Sequence, residues 1–245
     1  MKSFKRLRTF NSSRCRLWEE NAAFAERVPE GALVLDAGAG SAPYKSLFDH
    51  AQYESADFRQ IDKTYAPSTY VCDLQQIPVE DGRFDFIIFN QVMEHLPDPK
   101  PVLVELNRVL RPGGKMIYSG PLFYEEHEKP FDFFRYTQFG LRELFSTTGF
   151  LVERLDWLEG YFGTVGYQLN CMGRYLPRKP RDLGGGVVGY ALVPVMMILK
   201  MGFRACSILF HNLEMRVKFK GRGYPKNYVA IVGKSTPGDA DDQVE

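Results

Sequence analysis

The amino-acid sequence predicts an α/β fold: a doubly wound, mostly parallel, seven-stranded sheet. Three observations support this prediction. The apolar run Leu33–Asp36 ends in a carboxylate and is followed by two glycines, Gly38 and Gly40. Strand-like and helix-like segments alternate from Gly31 onward. The run Phe84–Asn90 is almost continuously apolar, as parallel strands covered on both faces are. In such sheets ligands bind at the carboxyl ends of the strands.

The elements are predicted in chain order from apolar spacing and from turn residues. A helix over Arg16–Arg27 precedes the sheet and is stopped by Pro29. The predicted strands are Leu33–Asp36, Tyr53–Ala56, Thr69–Cys72, Phe84–Asn90, Lys115–Ser119, Phe150–Trp157 and Tyr228–Val232. The predicted helices between them are Pro43–His50, Pro101–Leu110 and one capped by Thr137 that runs to Thr148.

These elements divide the chain into three parts. Residues 1–30 form a basic N-terminal arm and helix. Residues 31–234 form the main domain, with a core over 31–157, a hydrophobic insertion or lid over about 160–226, and the last strand at 228–232. Residues 235–245 form a short acidic tail that is expected to be disordered.

The insertion is the least regular part of the sequence. Its uncharged span Leu183–Leu199 has 17 residues and contains Pro194, which is expected to break it. A membrane-spanning helix needs roughly 18–20 such residues. Three interpretations of residues 187–210 stay open: a buried or lid helix, an interfacial helix, and a membrane-inserted one.

Composition limits the partners and the compartment. Lys plus Arg number 31 and Asp plus Glu number 30, a balance that argues against a nucleic-acid partner. The four cysteines form no CxxC pair, and the basic N-terminus is not followed by an apolar signal segment. A cytoplasmic protein is therefore expected. Attachment to the inner face of the membrane, through the basic arm and residues 187–210, is the alternative.

The glycine loop favours one class of nucleotide over another. In a dinucleotide fingerprint a third glycine would stand at Pro43, where proline hampers close approach of a helix to a pyrophosphate. Asp36 would also repel a pyrophosphate, but it can accept hydrogen bonds from a cationic amino group. An amino-acid-bearing nucleoside is favoured over NAD.

Polar groups at later strand ends agree with this interpretation. Asp57 ends the second strand, where a carboxylate can bind both hydroxyls of a ribose. Asp73 and Leu74 follow the third strand and suit the amino group and ring of adenine. Asn90 ends the fourth strand, where the sheet opens towards a ligand.

Several motifs together resemble class I S-adenosylmethionine-dependent methyltransferases, of the small-molecule type that includes ubiquinone and menaquinone methyltransferases. The motifs are Val34–Gly40, Asp73-Leu74 with Ile77-Pro78, Phe84–Ile87, Glu94-His95-Leu96 and Arg108–Gly114. The resemblance covers about residues 31–157 and implies a Rossmann-like methyltransferase fold with S-adenosyl-L-methionine as cofactor.

The resemblance also implies roles for single residues. Asp36, Ala37, Gly38 and Gly40 would hold the methionine end of the cofactor and Asn90 the wall near its sulfonium. Asp57 would hold the ribose, and Asp73 with Leu74 the adenine. The sequence departs from the family at Ala42, where a third glycine often stands.

Methyl transfer to a hydroxyl needs a group that takes the hydroxyl proton, and histidine suits this role near neutral pH. Two of the four histidines are candidates for the base. His95 follows the fourth strand by five residues, and His127 lies in the loop Pro121–Thr137 after the fifth.

That loop is rich in aromatic and ionisable residues, which is typical of an acceptor pocket. We expect it to bind the substrate through Tyr124, Asp132, Arg135 and Tyr136. Its acidic residues and His127 are expected to be outward charges, so no metal site is predicted.

The sequence therefore predicts an S-adenosylmethionine-dependent O-methyltransferase of a small or amphiphilic acceptor, such as a lipid-linked saccharide or a quinone-like molecule. A non-catalytic S-adenosylmethionine-binding protein that scaffolds a membrane-associated assembly is the main alternative. An NAD-dependent reductase is a third interpretation, which Pro43 and the Pro112–Gly114 turn disfavour.

Overall fold

A computed structural model describes residues 11–58 and 64–234 of the chain. Most of the basic arm and the whole acidic tail lie outside these residues, so the predictions for them stay predictions. The strands are β1 Leu33–Ala37, β2 Gln52–Asp57, β3 Tyr70–Val71, β4 Phe84–Asn90, β5 Leu110–Pro121, β6 Phe150–Trp157 and β7 Asn227–Lys234. The helices are α1 Ser12–Ala25, α2 Pro99–Val109, α3 Gln138–Thr147, α4 Tyr161–Tyr175 and α5 Gly186–Arg216.

The sheet has seven strands in the order β3-β2-β1-β4-β5-β7-β6. Neighbouring strands from β3 to β5 are parallel, and β7 is antiparallel to both β5 and β6. The order reverses direction at β1, with β2 on one side and β4 on the other. This is the predicted doubly wound, mostly parallel α/β fold, and the carboxyl ends of β1, β2 and β4 meet at its switch point.

Two hydrophobic cores cover the two faces of the sheet. Leu35 and Ile87 belong to the core that also holds residues of α2 and α3. Their chain neighbours Val34 and Ile88 belong to the second core, which also holds Phe24 of α1. Successive residues of a strand point to opposite faces, so both faces of β1 and β4 are buried. This explains why Phe84–Asn90 reads as a continuous apolar run.

Several segments depart from the predicted elements. α1 begins at Ser12, before the predicted start at Arg16, and ends at Ala25. The helix expected over Pro43–His50 is only a short 3-10 helix, Lys45–Phe48, and Ala42, just before the predicted start, adopts a left-handed backbone (φ 50°). The turn at Arg111–Gly114 lies within β5 as an irregularity: Phe84 pairs with Leu110, whereas Phe86 pairs with Lys115.

The contacts divide the chain into two compact units. The sheet unit contains residues 17–158 and 227–234 of the described chain. The helical unit contains residues 11–16 and 159–226, which include α4 and α5. Within it, glycines on α4 allow close packing of α5: a Cβ at Gly166 would lie 3.2 Å from the Cβ of Phe210.

The break expected at Pro194 is wrong, because α5 is a single helix of 31 residues that continues through Pro194. Proline removes one backbone donor, but long apolar helix-forming stretches on both sides continue the helix. By length and composition α5 could cross a membrane: an 18-residue window has a mean hydropathy of 1.7, and only 6% of that window is buried.

Candidate active site

A cavity of about 210 Å³ lies at the carboxyl ends of the strands in the sheet unit. It brings together five of the predicted site residues, namely Gly38, Asp57, Asp73, Leu74 and His95. The rest of its lining comes from Phe58, Tyr65, Gln75, Gln91, Val92, Leu96, Pro97, Glu128 and Phe131. A larger and more open depression of about 870 Å³ lies around Cys72 and Arg108 and contains none of the predicted site residues.

The glycine loop after β1 leaves no room for a side chain at its first glycine. Gly38 has a φ of 75°, and a Cβ there would lie 2.4 Å from Cγ2 of Val92. The backbone N–H of Gly40 donates to Oδ2 of Asp57 at 2.8 Å, which joins the ends of β1 and β2. A turn of this shape, with a carboxylate beside it, fits an adenosine-bearing ligand that lies against the backbone.

Asp36 lies behind the loop. Its side chain is buried, and the hydroxyl of Tyr53 donates to its Oδ2. Burial raises the pKa of Asp36 to about 7, against the lowering effect of the Tyr53 hydrogen bond, and the nearby charge of Asp57 adds to the rise. Ala37 is also fully buried. Neither residue lines the cavity, so their predicted contacts with the cofactor stay predictions.

Asn90 is held by other side chains. Its Nδ2 donates to Oδ1 of Asn21 at 2.9 Å, and its Oδ1 accepts from Oγ of Ser119 at 2.7 Å. It does not line the cavity. The neighbouring Gln91 does, and it adopts a left-handed backbone with a φ of 56°. Sequence reasoning missed Gln91 because a single polar residue after a strand is usual in a turn.

His95 and His127 lie side by side in the structure although they are distant in the sequence. Their ring centroids are 4.8 Å apart. Nδ1 of His95 lies 2.6 Å from the carbonyl oxygen of Phe131, so this nitrogen carries the proton and Nε2 keeps its lone pair. Burial lowers the pKa of His95, which favours the neutral ring. His95 lines the cavity and His127 does not.

The predicted substrate residues organise the loop after β5. Asp132 and Arg135 form a two-pronged ion pair at 2.6 and 2.7 Å, and Arg135 also donates to the backbone carbonyl of Tyr124. The hydrogen bonds from Arg135 hold the pKa of Asp132 well below its usual range. The hydroxyl of Tyr136 is buried without a hydrogen-bond partner among the described residues.

Glu94 is a residue beside the cavity that the sequence did not single out as a candidate site residue. Its side chain is fully buried, and neither carboxylate oxygen has a hydrogen-bond partner among the described residues. Burial raises its pKa to about 8. One side-chain oxygen or nitrogen atom from each of Glu94, His95 and His127 lies within 4.8 Å of the others. A glutamate is usually exposed, so only the fold reveals this grouping. It differs from the acidic residues of the loop after β5, which the sequence predicts to be outward charges.

Comparison with known proteins identifies the class of the domain that carries this cavity. A methyltransferase domain family matches residues 35–118, which run from β1 to β5 and include the glycine loop and His95. These residues form a class I methyltransferase domain, as predicted, and S-adenosylmethionine is the cofactor of this class.

Relatives match only part of the chain. A tRNA (carboxymethyluridine(34)-5-O)-methyltransferase of Arabidopsis thaliana is 31% identical over 117 residues, which are 45% of this chain and 29% of that protein. The ubiquinone/menaquinone biosynthesis C-methyltransferase UbiE of Desulfotalea psychrophila is 29% identical over 101 residues, 36% of this chain and 41% of that protein. The chain thus spans less than half the length of these relatives.

The fold extends further than the sequence similarity. The 4+2 cyclase SpnF superposes with a TM-score of 0.55 at 16% identity, over 89% of this chain and 81% of that one. Since a cyclase shares the architecture, the fold alone does not define the reaction.

Ionisation of Asp36 should control the affinity for the cofactor. A cationic ammonium group is attracted by the ionised carboxylate, and the pKa of Asp36 is about 7 in the free protein. Affinity for S-adenosylhomocysteine should therefore rise about tenfold between pH 5.5 and pH 7, as the carboxylate loses its proton. Calorimetric titration at a series of pH values measures this. Asp36→Asn should abolish most of this rise in affinity with pH. Asp73→Asn should weaken binding at every pH but keep the rise. An unchanged pH dependence in Asp36→Asn would contradict the role given to Asp36.

Proposed function

We propose that the chain is an S-adenosylmethionine-dependent O-methyltransferase of a small amphiphilic acceptor, such as a lipid-linked saccharide or a quinone-like molecule. One observation carries the proposal: His95 lies in the wall of the cavity with its Nδ1 held by the Phe131 carbonyl, which leaves Nε2 for an acceptor, and His127 packs against it. A nitrogen base beside the cofactor cavity is what transfer to a hydroxyl requires.

The cofactor supplies an electrophilic methyl group on a sulfonium, which needs no acid to leave. The protein has to align the acceptor oxygen and remove its proton. Asp57 and Asp73 on the cavity wall would hold the ribose and adenine, with Leu74 against the ring. His95 would take the hydroxyl proton on Nε2, while the Phe131 carbonyl keeps its ring in place through Nδ1.

The loop after β5 would form the acceptor side of the site. Phe134 and Tyr136 stack with ring centroids 5.4 Å apart, and Tyr124 meets His127 edge to face at 5.0 Å. The pair Asp132–Arg135 holds this loop in shape. Aromatic surface favours an acceptor with an apolar part, and the near-neutral charge of the chain disfavours tRNA, on which the Arabidopsis relative acts by its name.

The test is transfer of a labelled methyl group from the cofactor to fractionated cell extract. Label should enter the lipid-soluble fraction. With that acceptor, His95→Ala should lower turnover about a hundredfold and His127→Ala less, because a positioned base typically contributes 10²–10⁴-fold. His50→Ala is the control, since His50 bonds to the Val28 carbonyl instead. Cofactor binding without label in any fraction would favour the non-catalytic alternative, and label in RNA would overturn the acceptor class.

We further propose that the protein contacts the inner face of a membrane through α5. Exposed apolar side chains run along this helix, among them Val187, Tyr190, Ile198 and Met201. Basic residues flank the uncharged span, with Arg178, Lys179 and Arg181 before it and Lys200 and Arg204 after it. Cations on both sides of an apolar helix complement anionic lipid headgroups, so a bilayer is the occupant that fits.

Flotation of the full chain with vesicles tests membrane contact. The protein should float with vesicles that contain anionic lipid, and replacing Met197, Ile198 and Met201 by serine should weaken the association at least tenfold, since each buried side chain contributes about 1.5–3 kcal/mol. Phe139→Ser is the matched control, because Phe139 is equally exposed on α3 of the sheet unit. Recovery of the wild-type protein away from the vesicles would contradict the proposal.

A further inference from the structure

Three groups that commonly bind metals meet at the edge of the cofactor cavity. Glu94 and His95 belong to a short 3-10 helix after β4, and His127 comes from the loop after β5. One oxygen or nitrogen atom from each lies within 4.8 Å of the others. We propose that Glu94, His95 and His127 bind a divalent transition-metal ion.

The buried carboxylate is the first reason. Glu94 is fully buried, and both of its oxygens lack hydrogen-bond partners among the described residues. One oxygen, Oε1, lies 3.9 Å from Nε2 of His95. A buried carboxylate needs a strong partner, and a cation between these two atoms would provide it.

The orientation of the histidines is the second reason. Histidines that bind a metal through one nitrogen usually donate the other N–H to a carbonyl or a carboxylate. Nδ1 of His95 contacts the Phe131 carbonyl at 2.6 Å. Nδ1 of His127 lies 3.3 Å from Oδ2 of Asp132 and 3.3 Å from the carbonyl oxygen of Glu125. Both rings are therefore held so that Nε2 remains for a ligand.

The ligand set indicates the kind of ion. Two imidazoles and one carboxylate are typical of Zn²⁺, Mn²⁺ or Fe²⁺ sites, whereas Mg²⁺ prefers oxygen ligands alone. Metal–ligand bonds of about 2.0–2.2 Å place neighbouring ligands about 3.4 Å apart, so the three groups would close by about an ångström. Oε2 of Glu128, 3.8 Å from Nε2 of His95, lies beside a fourth position.

The metal site itself does not depend on the proposed O-methylation. Only the role of the ion in the reaction rests on that proposed function. An acceptor hydroxyl bound to the ion would lose its proton to solvent more readily. Its oxygen would then bond to the methyl carbon of the cofactor, and the electron pair of the broken carbon–sulfur bond would stay on sulfur. In that case His95 holds the ion and need not take the proton itself.

The test uses Co²⁺ and Zn²⁺ on the full chain after chelator treatment. One equivalent of Co²⁺ should give visible absorption bands typical of nitrogen and oxygen ligands, and Zn²⁺ should displace it. The isosteric Glu94→Gln and the ligand-removing His127→Ala should each weaken binding at least tenfold. Glu126→Gln, on the same loop but exposed and paired with Lys129, should bind as wild type does.

Equal affinity in the wild type, Glu94→Gln and His127→Ala, or no absorption bands, would overturn the metal site. Methyl transfer measured with and without chelator separates the two proposals. If methyl transfer continues in chelator and the protein binds no metal, the metal site is wrong and the proposed function still holds. If the protein binds metal specifically but transfers no methyl group to any fraction, the metal site holds and the proposed function is wrong.

Discussion

The turn after β1 depends on the absence of a side chain at Gly38. A Cβ there would lie 2.4 Å from Val92, a residue that follows β4. The same turn brings the N–H of Gly40 to Asp57 at the end of β2. One steric constraint and one hydrogen bond thus hold three strand ends together. The cavity depends on this arrangement, because most of its lining comes from the segments that follow these three strands, and the rest comes from the segments after β3 and β5.

Much of the fold could be predicted because its signals are local. β4 and β6 have the predicted bounds: burial on both faces makes β4 a continuous apolar run, and Gly149 marks the start of β6. Thr137 caps α3 as expected, through its hydroxyl and the N–H of Gly140. The prediction was wrong at segments whose structure does not follow from the preferences of single residues. Pro194 does not break α5, and the helix expected after the glycine loop is only the 3-10 helix Lys45–Phe48.

The site was predictable in part, for the same physical reason. Asp57, Asp73 and Leu74 stand at strand ends, so the order of the strands already places them together, and they line the cavity. The burial and the contacts of a side chain, in contrast, depend on residues that are distant in the sequence. Burial of Glu94 and the approach of His127 to His95 depend on how the loop after β5 folds back. The ion pair of Asp132 and Arg135 holds that loop, a role that their place in the sequence does not reveal.

We infer that the cavity at the switch point binds the cofactor with its reactive end towards His95. A crystal structure of the full chain with S-adenosylhomocysteine tests this most directly. We expect the ribose at Asp57, the adenine between Asp73 and Leu74, and the sulfur facing the side of the cavity formed by His95. A cofactor bound in another part of the chain, or with its sulfur turned away from His95, would contradict it.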